Sequence, residues 1–403
     1  MSHLPTIRFL DRSTPPHIIT LILITGMGAL NMSIFLPSLA GMTAYFNTEY
    51  AIMQIALSGY LAATAVLQIF IGPISDRYGR RILVLGSMAT FVVATLGTLI
   101  AETVETFLFF RIMQAAVATS MALSRAIVRD IVPQEEAASR IGYVTMGMAL
   151  VPMFGPMVGG ALDQMFGWHA TFVFLAIAGT CTFVLCYFDL GETVKAGGLG
   201  FRDQAKSYPE LFKSPRFWGY VACAAFSSGA FFALLGGASF VGNTLFGLSP
   251  MWNGIALGAP AIGYAVGNFL SGRYSTKHGV NTMALIGTIT TIIGLGISAV
   301  LTISGLHHPL NFFGFCTILG LGNGMTLPNV IAGSISVRPH LAGTASGLSG
   351  AIMIAGGAAL SQFAGGMLTV QTGTLPLQLL MLSVSILAML SVVFVIWREK
   401  RLA

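Results

Sequence analysis

Gly72-Pro73-Ile74-Ser75-Asp76-Arg77-Tyr78-Gly79-Arg80-Arg81 is a charged, glycine-bounded stretch set between two apolar runs, 51–72 and 82–101. Each run has about the twenty residues that a helix needs to cross a hydrocarbon layer of roughly 30 Å. A short charged hairpin between two such runs marks a chain turning round at a membrane surface. Gly72 and Gly79 permit close backbone approach or a positive φ. Asp76 has the sign to sit against the N-terminal end of a neighbouring helix, and Arg77, Arg80 and Arg81 have the sign of a cytoplasmic loop. These are the parts of a gate, and equally of a tight positive-inside turn.

Composition extends this reading to the whole chain. Of 403 residues, 55% are hydrophobic and 8% charged, against about 25% charged in a soluble domain. That excludes a soluble enzyme. Twelve apolar segments follow one another at 17–39, 51–72, 82–101, 106–128, 141–163, 170–188, 217–242, 252–272, 282–304, 310–333, 341–366 and 375–397. Helices are the spanning structure they predict, because lipid leaves no partner for an open backbone. The N-terminus shows no short apolar region with a cleavage site, so 17–39 is read as a true span.

The net charge of +6 does not mark a nucleic-acid protein, because nineteen of the twenty basic residues fall in or beside alternate loops, the linker and the two tails. That asymmetry places both termini in the cytoplasm. Four cysteines, Cys181, Cys186, Cys223 and Cys316, lie inside apolar runs without metal-ligand spacing and read as small core residues. The single long polar stretch, 189–216, divides the chain into a tail (1–16), a six-helix bundle (17–188), a linker, a second bundle (217–397) and a C-terminal tail (398–403). Gly272-Arg273-Tyr274-Ser275-Thr276-Lys277-His278-Gly279 repeats the opening motif, with Thr276 in place of the aspartate. Internal repeats of this kind mark secondary transporters, whose substrate site lies between the halves.

G-x-x-x-D-R-x-G-R-R between spans two and three resembles the signature loop of the major facilitator superfamily. Arg111-Ile112-Met113-Gln114 resembles its second motif, and Arg125-Ala126-Ile127-Val128-Arg129-Asp130 resembles the bicyclomycin-resistance (Bcr/CflA) branch of its drug:proton antiporters. Gly147, followed by Gly155-Pro156-Met157-Val158-Gly159-Gly160, looks like the antiporter motif of that group. The resemblance implies an all-α fold of twelve transmembrane helices in two pseudo-symmetric six-helix bundles, working as a monomer in a bacterial inner membrane. It implies a gate made of Gly72, Asp76, Arg77, Gly79, Arg80, Arg81, Arg129 and Asp130. It also implies export of small amphipathic compounds by alternating access, with no cofactor and the proton as coupling ion. Read without the resemblance, Gly-Pro within a span bends the helix, and paired glycines let a partner pack closely.

Arg111 stands out because an ionisable group inside a span costs at least about 2.5 kcal/mol and requires a partner. Relatives commonly carry an aspartate on span one. Here Asn31-Met32-Ser33-Ile34-Phe35-Leu36-Pro37 has Ser33 at that place, and no acidic residue lies deep in any span. Two accounts stay open: Arg111 is held by Asn31, Gln114 or backbone carbonyls, or it is the counter-ion of an anionic or carbonyl-rich substrate. The fold resemblance adds Tyr60, Tyr143, Phe226, Phe231, Asn268 and Asn323 as cavity candidates. The missing acid keeps an alternative alive, a metabolite or nutrient carrier moving nucleosides, amino acids or organic anions without proton exchange.

Overall fold

In the computed structural model the described residues are 8–131, 151, 154–193, 209–338 and 341–401, without the side chains of Pro73, Asp76, Arg129, Ala342 and Gly343. Tyr143 and Gly147 lie outside the described residues. Every regular element among those described is helical. Eleven helices are long and apolar enough to span a membrane. They are Ile18–Tyr45, Tyr50–Gly72, Arg80–Leu99, Val104–Val128, His169–Asp189, Pro215–Leu245, Pro250–His278, Val280–Ile303, Leu310–Ser336, Thr344–Met367 and Leu375–Lys400. A further helix covers 154–166, in the place of the expected fifth span. Numbered in chain order, these are spans one to twelve.

The opening motif is more helical than expected. Span two continues as helix to Tyr78 and stops at Gly79 (φ 95°), and span three begins at Arg80. The turn is one residue long. Gly279 (φ 82°) makes the same turn between spans eight and nine. Gly72 does neither thing expected of it, since it is helical and a Cβ there would meet nothing within 4 Å. Ser-Pro pairs start spans seven and eight: the Ser214 and Ser249 hydroxyls accept from Phe217 N and Trp252 N, with Pro215 and Pro250 in the first turn. Of the four cysteines expected inside, Cys181 is exposed. A thiol is apolar enough to face lipid.

Among the first six spans, span three packs on six, and one and two pack on four. Among the last six, seven packs on ten, eleven and twelve, and ten packs on eight and nine. Spans two and eleven join the two sets. Both tails lie at one end, where Leu10 N donates to Asp189 Oδ1 (2.8 Å) and Arg216 pairs with Glu399. We call this the basic end.

At the opposite end uncharged hydrogen bonds close the seam between the sets. Tyr50 OH donates to Gly236 O (3.0 Å), Gln54 Nε2 to Ser361 Oγ (2.9 Å) and Ser58 Oγ to Gln362 Oε1 (2.6 Å). Gln362 Nε2 donates to Ala51 O (2.9 Å), Asn243 Nδ2 to Pro37 O (2.9 Å), and Ser239 Oγ to Leu36 O. Span five meets span eight here with almost no side chain between them. A Cβ on Gly160 would lie 2.2 Å from Pro250 O, and one on Gly254 2.2 Å from Pro156 O.

Gly160→Val and Gly254→Val are therefore expected to cost about 1–3 kcal/mol each through overpacking, and to lower the thermal unfolding midpoint in detergent. Gly296→Ala, where the Cβ meets nothing within 4 Å, should leave it unchanged. A wild-type midpoint for both valine variants would refute the close approach.

Candidate functional site

Span one stops being a regular helix at Ser33 and resumes as a tight turn at Leu36–Ser38. Pro37 has no N–H to continue the ladder, so carbonyls around it are left for other partners. On span four, Arg111 stands one turn before a second irregularity, the 3-10 turn Gln114–Ala116. Residues three apart eclipse in that geometry, and so the Gln114 side chain falls on Arg111.

Arg111 is fully buried. Its Nε donates to Ala56 O (3.1 Å), Nη2 to Asn31 O (2.7 Å), and Nη1 to both Asn31 Oδ1 (2.6 Å) and Gln114 Oε1. The guanidinium lies over the rings of Phe35 (4.2 Å) and Tyr60 (4.9 Å). Gln114 Nε2 donates onward to Thr95 Oγ1 (2.8 Å) on span three. Four charge-assisted bonds, each worth about 1.5–3 kcal/mol, exceed the roughly 2.5–3.5 kcal/mol that a charge costs inside a span. The cation is held without a carboxylate, and it ties spans one, two and three to four.

The structure thus brings Arg111, Asn31, Gln114 and Tyr60 into one cluster, in the geometry of the first of the two accounts. Ser33 lies nearby, donating to Ala29 O (3.0 Å), and a Cβ on Gly155 would sit 2.9 Å from its Oγ. A Cβ on Gly159 would strike Ile34 O at 1.7 Å. The remaining candidates stand apart from this cluster. Asn323 Nδ2 donates to Ser227 O (2.9 Å), Asn268 Nδ2 to Tyr264 O (2.9 Å) on its own helix, and Phe226 and Phe231 pack half-buried on the core.

At the basic end Arg80 is buried and its Nε donates to Asp130 Oδ2 (3.1 Å), joining the motif to the end of span four. Its Nη1 donates to Ser75 Oγ. Arg81 Nη2 donates to Tyr187 O (3.0 Å), and Arg77 is exposed over the Tyr78 ring. The side chains of Asp76 and Arg129 are outside the described set.

The motif, the buried arginine and the glycine face match a known pattern. The sequence model of the Major Facilitator Superfamily matches residues 21–361. The chain belongs to the major facilitator superfamily. It is therefore a multi-pass membrane transporter, and the all-helical expectation is met.

Relatives of this major facilitator protein include a "Chloramphenicol resistance protein" of Pseudomonas aeruginosa, 29% identical, covering 79% of this chain and 76% of the relative. Another is a "Bicyclomycin resistance protein homolog" of Haemophilus influenzae, 26% identical over 89% and 90% of the two chains. Among solved structures, the crystal structure of the peptide transporter POT in complex with sulfate superposes with a TM-score of 0.75 at 14% identity, covering 95% of this chain and 94% of that one. That likeness shows the fold.

Two acidic residues that sequence reasoning placed only at helix ends or in the linker prove to be structural anchors in this transporter. Asp189, fully buried, accepts from Leu10 N, His17 N (2.9 Å) and Thr20 Oγ1 (2.6 Å), fastening the N-terminal segment. Glu192 accepts from Arg80 N (2.8 Å) and Arg81 N (3.2 Å), capping span three from across the bundle. Gly79 has to lack a side chain for this, since a Cβ would lie 2.3 Å from Glu192 Oε2. The signal available in sequence was the pair of acids, Asp189 and Glu192, just after an apolar run.

Between spans two and eleven runs an apolar groove of about 690 Å³, lined by residues such as Ala62, Val66, Ile69, Leu348 and Ala355, with Ser58 and Gln362 as its polar members. None of the predicted cavity residues that are described lines it.

Arg111→Lys keeps the charge but cannot serve four acceptors spread around a planar fork. It should cost about 2–4 kcal/mol and lower the unfolding midpoint clearly, as should Arg111→Gln. A lysine variant that melts with wild type would show that the bonding network is dispensable.

Proposed function

We propose that this transporter exports small amphipathic compounds, antibiotics among them, in exchange for protons. The branch to which its relatives' names point, resistance to chloramphenicol and bicyclomycin, supports that substrate class. One observation narrows it. The cluster around Arg111 is a fixed positive centre bonded to neutral oxygens, and no carboxylate accompanies it. With its donors engaged inside the protein, such a centre acts on a substrate through its field, which suits neutral or anionic compounds and repels cations.

The cytoplasmic side is the basic end, following the distribution of arginine and lysine. The uncharged seam is then the outer gate, closed in this conformation, and Arg80 with Asp130 belongs to the inner gate. The protein works as a monomer in the inner membrane, and its two six-helix bundles (17–188 and 217–397) rock about a midplane site joined by the linker 189–216.

Everted membrane vesicles with an imposed proton gradient test the reading. A neutral chloramphenicol-like compound should accumulate only while the gradient lasts, a lipophilic cation should not, and Arg111→Gln should abolish accumulation. Movement indifferent to the gradient would favour a metabolite carrier and overturn proton exchange.

A further inference from the structure

The closed seam holds one carboxyl group among the described residues, and unusual company surrounds it. Asp163 lies in the last turn of the span-five helix, half-buried, and the Ser38 hydroxyl of the span-one turn faces its carboxyl. That hydroxyl is buried yet completes no hydrogen bond of ordinary geometry. Nearby, Asn243 reaches Pro37 O through its Nδ2, while its Oδ1 finds no partner within the protein. Asn253, fully buried on span eight, has neither amide atom paired, and it packs so tightly that a Cβ on Gly242 would lie 2.1 Å from its Oδ1. Four of the twelve unpartnered buried side-chain atoms of the described residues therefore gather where spans one, seven and eight meet at this end, beside span five. Each such atom costs about 1–3 kcal/mol unless something polar reaches it, and ordered water is the usual partner.

Among the described residues no cation pairs with the Asp163 carboxyl. Its own helix 154–166, the Leu36–Ser38 turn and the segments Phe240–Leu245 and 250–254 of this end carry no other charged or titratable side chain. Six residues further along the chain, the His169 ring stacks on Trp168 at 3.7 Å and meets Tyr45 edge-on. Glu49, Glu102, Glu105, His307 and His308 at the same end are exposed and sit on other turns. A carboxylate half removed from water without a described counter-charge is costlier than a neutral carboxyl in the same place. Closing the seam around Asp163 is therefore easier with a proton on it.

We infer that Asp163, with Ser38, Asn243 and Asn253, forms a proton-binding site in the outer gate, so that closing this gate takes up one proton from the outer side. The inference rests on the orientation given above, in which the seam faces outward. The neutral carboxyl donates its O–H to water or to Ser38 Oγ inside the closed gate. On opening, solvation restores the anion and the proton leaves to water. Low pH favours the closed gate and high pH the open one.

Gate closure can be read without transport, so failure here is separable from failure of the export reading. Spin labels at Ala44→Cys and Ser304→Cys, both exposed at this end, in a Cys181→Ser background, report the distance across the gate by pulsed electron resonance between pH 5.5 and 8.5. The expected result is a shift toward shorter distances as pH falls. Asp163→Asn should give the short distance at every pH, Asp163→Glu should keep the response, and His169→Gln should leave it unchanged. Distances that ignore pH in the parent overturn the inference. So does a full response in Asp163→Asn, or its loss in His169→Gln.

Discussion

The break in span one, where the helix ends at Ser33 and a tight turn follows over Leu36–Ser38, is the constraint on which the centre of this transporter depends. A membrane offers no water to satisfy a freed carbonyl, so each must find a donor or a close neighbour inside the protein. Asn31 O goes to Arg111, Leu36 O to Ser239 and Pro37 O to Asn243, while Gly159 presses against Ile34 O. Phe35 adds its ring to the guanidinium. One proline-driven break therefore places the buried cation, sets the approach of span five, and supplies acceptors for the other set of six spans.

The two ends are fastened by different chemistry. The basic end uses ions: Arg80 with Asp130, Glu192 on the start of span three, and Arg216 with Glu399. These bonds lie within each set of six. Among the described residues, the hydrogen bonds that join the sets at the other end run between neutral donors and acceptors, each worth about 0.5–1.5 kcal/mol net. Six such bonds are within reach of what one charge gains by crossing a membrane potential, about 2.3 kcal/mol per 100 mV, when they open a few at a time. Strong bonds within each body and weak ones between them are what rigid-body rocking needs.

Sequence carried much of this and missed a definite part. Apolar length set the spans, and the helices of spans one, two and eight ran well past expectation, to Tyr45, Tyr78 and His278. Arg111 with Gln114 was legible because a charge inside an apolar run demands a partner, and the three-residue spacing offered one. The absence of a carboxylate on span one was legible too, and Asn31 explains how it is tolerated. The hairpin was misjudged: glycine at its start signalled a turn, but Gly72 is helical and Gly79 alone reverses the chain. Cys181 was misplaced because apolar neighbours in a membrane chain do not separate core from lipid. The seam bonds, such as Gln54 with Ser361, join residues some three hundred positions apart, and nothing local announces them.

The repeat itself shows why. The turns at Gly79 and Gly279 are 200 residues apart, and both start a helix without a side chain to cap it. In the first set Glu192 supplies the missing acceptor; in the second, Glu399 takes the side chain of Asn281 and the hydroxyl of Tyr220. The two acids are 207 residues apart, so a fixed offset does not align them. What is repeated is a physical need, an unsatisfied helix start beside the end of the last span in its bundle. The first half meets it with a carboxylate on the backbone N–H groups of Arg80 and Arg81; in the second, the carboxylate holds the side chain of the second helical residue, Asn281, instead.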